Sequence, residues 1–313
     1  MNLGKPLIIA SHPRSGSHFL LTSILQNCNY FKTVIPFFSL ETLLVPGDKT
    51  VSKNFLSWYK NILDKGDVPT LGTNCLREDC IEFVNKMPKE RDDVKIINHI
   101  INQGVFIYIE RDPVQSLLSW YKLAKSGGAM AFNASKTRLS KLEYKDFCEL
   151  PNLHKMPHRD FQDFDTKTIK FIAYHHASWK KSLKLKNNLI IRYKDLNDKY
   201  ETEIVKIFDF LKKNYNFKKW PINFNRPPYS KEARKYKALD KIQRKLRFKL
   251  NNLPFKFIIK KFFKIDLDNL DNEIISAKLA SQTPMVDKNY TPTAEINDRI
   301  TAMYKKYYLD YSQ

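Results

Sequence analysis

The sequence predicts an α/β fold, a doubly wound parallel sheet with flanking helices, and three observations carry that expectation. Short β-branched runs alternate with longer amphipathic stretches along the chain. The first of these runs, LIIA at residues 7–10, passes through a glycine-containing turn straight into a helix pattern. Finally, 42% of the 313 residues are hydrophobic, enough to bury a sizeable core and to exclude disorder throughout.

Four runs read as buried strands: residues 7–10 (LIIA), 94–98 (VKIIN), 105–110 (VFIYIE) and 188–193 (NLIIRY). After the first, Phe19, Leu20, Ile24 and Leu25 keep helical spacing. After the third, Asp112-Pro113 supplies an N-cap and a proline at the first helical position, and Leu117, Leu118, Tyr121 and Ala124 continue the helix. Residues 166–185 and 201–211 read as helices flanking the fourth strand. Residues 126–165 scatter Gly, Pro and polar side chains and read as a long irregular excursion. Between 234 and 249 half the positions are Lys or Arg, with Leu239, Ile242 and Leu246 at helical intervals, so a basic amphipathic helix is expected. Residues 253–265 continue with mixed aromatics and lysines, and a closing helix is expected near 294–311. One domain over 1–313 accommodates all of this: a core at about 5–215, a basic helical segment at about 226–270, and the closing helix.

Fifty-four Lys and Arg against 33 Asp and Glu leave a net charge of +21, which predicts affinity for anions without choosing among nucleotide, glycan, membrane or nucleic acid. The four cysteines (Cys28, Cys75, Cys80, Cys148) form no CxxC pair, the pattern of reduced thiols. Residues 7–10 are too short for a signal-peptide core, and no run approaches a membrane span. A cytoplasmic protein is expected, with peripheral membrane contact through the basic segment.

The most informative segment is LIIASHPRSGSHFLL, residues 7–21. A strand that turns through Pro-Arg-Ser-Gly-Ser into a helix aims backbone N–H groups at one point, at the positive end of the helix dipole. Gly16 permits close approach, Ser15 and Ser17 add hydroxyls, and Arg14 adds fixed charge, which together suit a phosphate-like anion. No Lys follows Gly16, so this is not the loop of nucleotide triphosphatases. In the second segment, residues 105–121, Arg111 stands at a strand end, where open α/β sheets bind ligands, and Ser119 lies eight residues on.

Together these segments resemble the family of cytosolic-type sulfotransferases that use 3′-phosphoadenosine 5′-phosphosulfate, with a P-loop-like sulfotransferase fold. PRSGS resembles their 5′-phosphosulfate loop, usually PKSGT, and residues 111–121 resemble their 3′-phosphate motif, with Arg and Ser eight apart before a Tyr. Residues 175–198 (HHASWKKSLKLKNNLIIRYKDLND) resemble the family's His-x-x-x-Trp helix and the strand ending in RYEDL, and the closing helix resembles theirs. The resemblance implies that Arg14, Ser15, Gly16, Ser17, His18 and Phe19 cradle the 5′-phosphosulfate. It further implies that Arg111 and Ser119 hold the 3′-phosphate and that Tyr193 lies near the nucleotide. It makes His99, after the expected strand 94–98, the general base, with Arg14 stabilising the leaving oxygen and no metal required. A neutral imidazole suits that task, since it can take the acceptor's proton near neutral pH.

The chain departs from the family pattern at several positions. Arg14 replaces the usual Lys, Ile97 stands where many relatives carry a Lys (with Lys95 on the same face as a substitute), and Gln115 replaces an acidic residue. The C-terminal Arg-Lys-Gly clamp has Arg234-Lys235 as its candidate. His175, His176 and Trp179 are expected to be structural, His154 and His158 to belong to a solvated loop, and Cys75 and Cys80 to be structural. The acceptor is a hydroxyl of unspecified identity, with a glycan or lipid-linked sugar favoured by the positive charge. Specific nucleic-acid binding is not expected. The alternatives are an ATP-dependent phosphotransferase of P-loop type and a basic protein binding polyanions or membrane surfaces.

Overall fold

The computed structural model describes residues 4–12, 14–33, 49–73, 77–125, 143–149, 168–182, 188–227 and 291–312. Five parallel strands form the sheet, in the order β2-β3-β1-β4-β5. They are β1 (Leu7–Ala10), β2 (Phe31–Lys32), β3 (Val68–Thr73), β4 (Val105–Glu110) and β5 (Asn188–Arg192). Every residue of β1 is 0% exposed, because β3 and β4 flank it and helices cover both faces. The pleat sends Ile8 and Ala10 into one core and Leu7 and Ile9 into the other. That two-sided burial explains the uninterrupted apolar run.

The helices are α1 (Ser17–Asn27), α2 (Lys49–Asp64), α3 (Arg77–Lys86), α4 (Asp92–Gln103), α5 (Pro113–Lys125), α6 (Tyr144–Glu149), α7 (Thr168–Ser182), α8 (Tyr193–Asp198), α9 (Tyr200–Asn214) and α10 (Ala294–Ser312). Helices α1 and α9 pack on the Leu7/Ile9 face, while α4, α5, α7 and α10 pack on the Ile8/Ala10 face. From β1 the chain moves outward to β2, returns through β3, and then crosses to β4 on the other side of β1. The order therefore reverses at β1, which opens the ligand crevice at the carboxyl ends of β1 and β4. The doubly wound fold class and the closing helix stand as expected.

Residues 94–98, expected as a strand, are the middle of helix α4. Asp92 and Asp93 occupy its first turn, and Val94, Ile97 and Ile100 face the core at helical spacing. Three or four β-branched residues in a short run fit either period, and packing against the sheet decided for the helix. The strand that pairs with β1 on the side away from β4 is β3 (VPTLGT), a run whose Pro69 and Gly72 disguise it. No described helix is long and apolar enough to cross a membrane. The basic helix at 234–249, the aromatic-lysine stretch at 253–265, Arg234-Lys235, His154, His158, Cys75 and most of the excursion at 126–165 lie outside the described residues.

Candidate functional site

Two residues after β1 take left-handed backbone conformations, Arg14 at φ 65° and Gly16 at φ 102°. For Arg14 that conformation costs about 1–3 kcal/mol, held by the surrounding bonds. Ser15, fully buried, ties the loop back on itself: its Oγ donates to the His12 carbonyl at 2.6 Å and its N–H donates to the same oxygen at 3.3 Å. Gly16 is required for a second reason. A Cβ there would come within 2.2 Å of the Tyr193 ring. Helix α1 then begins at Ser17 with no side-chain cap and no acidic residue in its first turn. Its first N–H groups and dipole are thus directed at the loop, with no acidic residue in the first turn to answer them.

Arg111, just past β4, donates from Nη1 to the Arg14 carbonyl at 3.0 Å, and Arg14 Nε donates to Ser119 Oγ on α5 at 3.3 Å. The Arg111 guanidinium lies 4.8 Å from the centroid of the Tyr193 ring, at the start of α8. Phe19 meets Tyr193 edge-on with ring centroids 6.5 Å apart. The residues named from the sequence, Arg14, Ser15, Gly16, Ser17, His18, Phe19, Arg111, Ser119 and Tyr193, therefore come together at one sheet edge, drawn from β1, β4 and β5. Among the described residues no ion pair joins Arg14 or Arg111 to a carboxylate. Both have their pKa lowered, Arg14 by burial and then by the positive charge of Arg111, Arg111 by burial. His18 is pushed down to about 4, again by burial first and Arg14 second. Burial disfavours the charged forms of all three, and at Arg14 and His18 a neighbouring arginine adds to it.

A cavity of about 520 Å³ opens beside Arg111 between the ends of β4 and β5, lined by Arg111, Asp112, Gln115, Tyr193, Asn197 and Asp198 among others. At its margin Glu110 accepts from His176 Nε2 at 2.7 Å and pairs with Lys180 at 3.0 Å. The His176 bond, aided by Lys180, lowers the Glu110 carboxyl to about 2 against its burial. His176 Nδ1 also meets the Tyr304 hydroxyl, which ties α10 to this edge. His175 is fully buried against Tyr108, and Trp179 packs on Phe106 and Tyr108, so both serve the core as expected. Cys28, Cys80 and Cys148 are buried free thiols.

His99 is the correction. It lies on α4, and its Nε2 donates to the Gly4 carbonyl at 2.5 Å, ahead of β1 and thus at the amino edge of the sheet. The loop that carries Arg14 is at the carboxyl edge, so His99 cannot share a cleft with it. Lys95 is exposed on the same helix, 3.9 Å from Asp92, and does not face the site either. The strand beside β1 ends in Thr73, followed in sequence by Asn74-Cys75, without a histidine. The imidazole that the sequence reading overlooked is His12, two residues before Arg14. It is 1% exposed, with Nε2 donating to the Arg111 carbonyl at 3.3 Å. Its position inside the loop motif was the available signal.

The sulfotransferase domain family matches residues 5–249. No protein among curated sequences matches the chain. Among solved structures it is similar to mouse sulfotransferase SULT7A1 complexed with PAP, at 18% identity and TM-score 0.39 over 66% of this chain and 58% of that one. The chain thus spans less than two thirds of that relative's length. Retinol dehydratase in complex with androsterone and inactive cofactor PAP gives 12% identity and TM-score 0.42 over 99% of this chain and 82% of that one. A sulfotransferase domain from the curacin biosynthetic pathway gives 10% identity and TM-score 0.41 over 96% and 98%. The domain match takes in the loop at 14–17, Arg111, Ser119 and Tyr193, and the chain belongs to the sulfotransferase domain family.

Proposed function

We propose that the protein moves a sulfuryl group from 3′-phosphoadenosine 5′-phosphosulfate to a hydroxyl acceptor. One observation carries this reading: two half-buried guanidiniums, Arg14 and Arg111, converge with Ser119 at the carboxyl edge and are paired with no carboxylate among the described residues. In this reading the first-turn N–H groups of α1, with Ser17, hold the 5′-phosphosulfate, while Ser15, expected from the sequence to join them, gives both of its donors to the His12 carbonyl and shapes the loop instead. Arg111 and Ser119 hold the 3′-phosphate. The acceptor oxygen bonds to sulfur as the bond from sulfur to the bridging oxygen breaks, and charge collects on the departing 5′-phosphate, where Arg14 neutralises it. The acceptor's proton goes to His12, which takes the role expected of His99. Donation from Nε2 to the Arg111 carbonyl fixes the orientation of its ring beside the loop.

Calorimetry tests the donor site. Adenosine 3′,5′-bisphosphate should bind far more tightly than AMP, and Arg111→Ala should weaken the bisphosphate by about 10–100-fold while barely changing AMP, the scale of a charged hydrogen bond. Equal affinities in the wild type would sink the assignment. For the acceptor we propose a sugar hydroxyl on a glycan or lipid, a reading supported by the charge of +21. A screen with radiolabelled donor, offering free glycans and the same sugars on neutral and acidic vesicles, separates soluble from peripheral membrane use.

A further inference from the structure

Among the large hydrophobic side chains that stand exposed in the described residues, Ile222 is the most open, at 91% against 58% for Leu309. It belongs to the chain that follows α9, and aromatic contacts pin that chain on its inner side. Phe217 stacks on Tyr30 with ring centroids 4.2 Å apart and meets Trp220 at 5.0 Å. Phe224 lies 4.8 Å from Phe208 of α9, and Trp220 meets the same ring edge-on at 6.3 Å. Trp220 and Phe224 are thus turned inward, and Ile222, midway between them, forms the crest. Beyond it the chain is clipped in place. Asn225 N–H donates to Asn27 Oδ1 at 2.6 Å, and Arg226 Nη2 donates to the Asn197 backbone carbonyl at 2.8 Å.

An aliphatic side chain kept in water by so firmly anchored a chain adds nothing to the core. Its surroundings are cationic. Lys212 and Lys213 stand in the last turn of α9, Lys218 and Lys219 precede Ile222 on the same short loop, and all four are exposed. The sequence holds no Asp or Glu between residues 210 and 227. Asp209, just before them, pairs with Lys212 at 3.6 Å, and among the described residues no carboxylate pairs with Lys213, Lys218 or Lys219.

Lysines around an aliphatic crest match an anionic lipid surface, where headgroups take the charges and the acyl boundary takes the crest. Nucleic acid would use the lysines but wants exposed aromatic faces for its bases, and the aromatics here point inward. We propose that residues 212–222 dock on an anionic lipid surface, with Ile222 as the inserted side chain. Four residues separate Ile222 from Arg226, so their Cα atoms lie at most about 14 Å apart. The Arg226 guanidinium in turn lies 5.6 Å from the ring centroid of Phe19, in the first turn of α1. Docking at the crest therefore holds the anion loop close to the headgroups, within reach of an acceptor carried on lipid. The inference uses neither the basic stretch at 234–265 nor the donor reading.

Co-sedimentation of the full chain with vesicles tests it, using phosphatidylcholine alone and phosphatidylcholine mixed in equal parts with phosphatidylserine. The wild type should pellet with the acidic vesicles at low salt and stay in solution with the neutral ones. Ile222→Ser should weaken acidic-vesicle binding by about tenfold or more, the scale of one buried aliphatic side chain. Lys218→Gln combined with Lys219→Gln should weaken it by about the same factor. These side chains are exposed, so melting temperature and affinity for adenosine 3′,5′-bisphosphate should match the wild type in every variant. No sedimentation of the wild type, equal sedimentation with both kinds of vesicle, or binding that survives Ile222→Ser unchanged would overturn the proposal. A wild type that pellets with acidic vesicles yet fails to bind the bisphosphate would bring down the donor reading and leave the docking surface standing.

Discussion

The two ends of β1 are separated by a strand of only four residues, yet they carry opposite chemistry. At the amino end, Gly4 presents a carbonyl that His99 of α4 satisfies with one hydrogen bond. At the carboxyl end, the chain enters left-handed backbone at Arg14 and Gly16, and two arginines and the uncapped start of α1 converge. Parallel strands place every helix that follows a strand with its N–H end at the carboxyl edge, so anion binding accumulates there. The imidazole at the other edge, His99, completes a backbone bond.

The contrast breaks most visibly at Gly16. Gly16→Ala should cost about 2–4 kcal/mol of stability, through its left-handed backbone and the contact of the new Cβ with Tyr193. Bisphosphate binding should fall with it. Adding Tyr193→Ala removes the contact but not the backbone strain, so a partial recovery in a double-mutant cycle, read by urea unfolding, separates the two terms.

Acid should act on the same end of β1. The folded-state pKa of His18 is about 4, below its ordinary 6.5, so the native state resists protonation that the unfolded chain accepts. Stability is therefore full above pH 6.5 and erodes as pH falls toward 4, by at most about 3 kcal/mol. Glu110, lowered to about 2 from 4.5, loses its contribution only in the lower window, as pH falls from 4.5 toward 2. Urea midpoints at pH 7.5, 5.5 and 4.5 should decline in the wild type and decline less in His18→Gln. Parallel declines in the two proteins would remove His18 from the account.

The smallest effect belongs to the amino end. His99→Asn should cost about 1 kcal/mol, the worth of one hydrogen bond, and leave bisphosphate affinity and turnover unchanged. His12→Asn should instead cut turnover by about 10²–10⁴-fold with bisphosphate affinity held within a few-fold. A collapse of turnover in His99→Asn would reverse the comparison.

The parts of the site whose residues are neighbours along the chain were legible before any fold was known. The strand-turn-helix at 7–21 had to present N–H groups to an anion, because a buried strand, a glycine and an apolar helix follow one another there. Arg111 and Ser119 were legible for the same reason, being two turns apart on one strand-to-helix junction. Tertiary packing was needed to show that 94–98 is helical and that residues 68–73, not among the runs expected as strands, pair with β1. Packing settled it: Val94, Ile97 and Ile100 bury one stripe as a helix, while VPTLGT is buried at every position as the strand. That exchange moved His99 across the sheet. Arg226, Asn197 and Asn27 were out of reach for a related reason, since their bonds join positions up to 198 residues apart, a separation on which local periodicity carries no information.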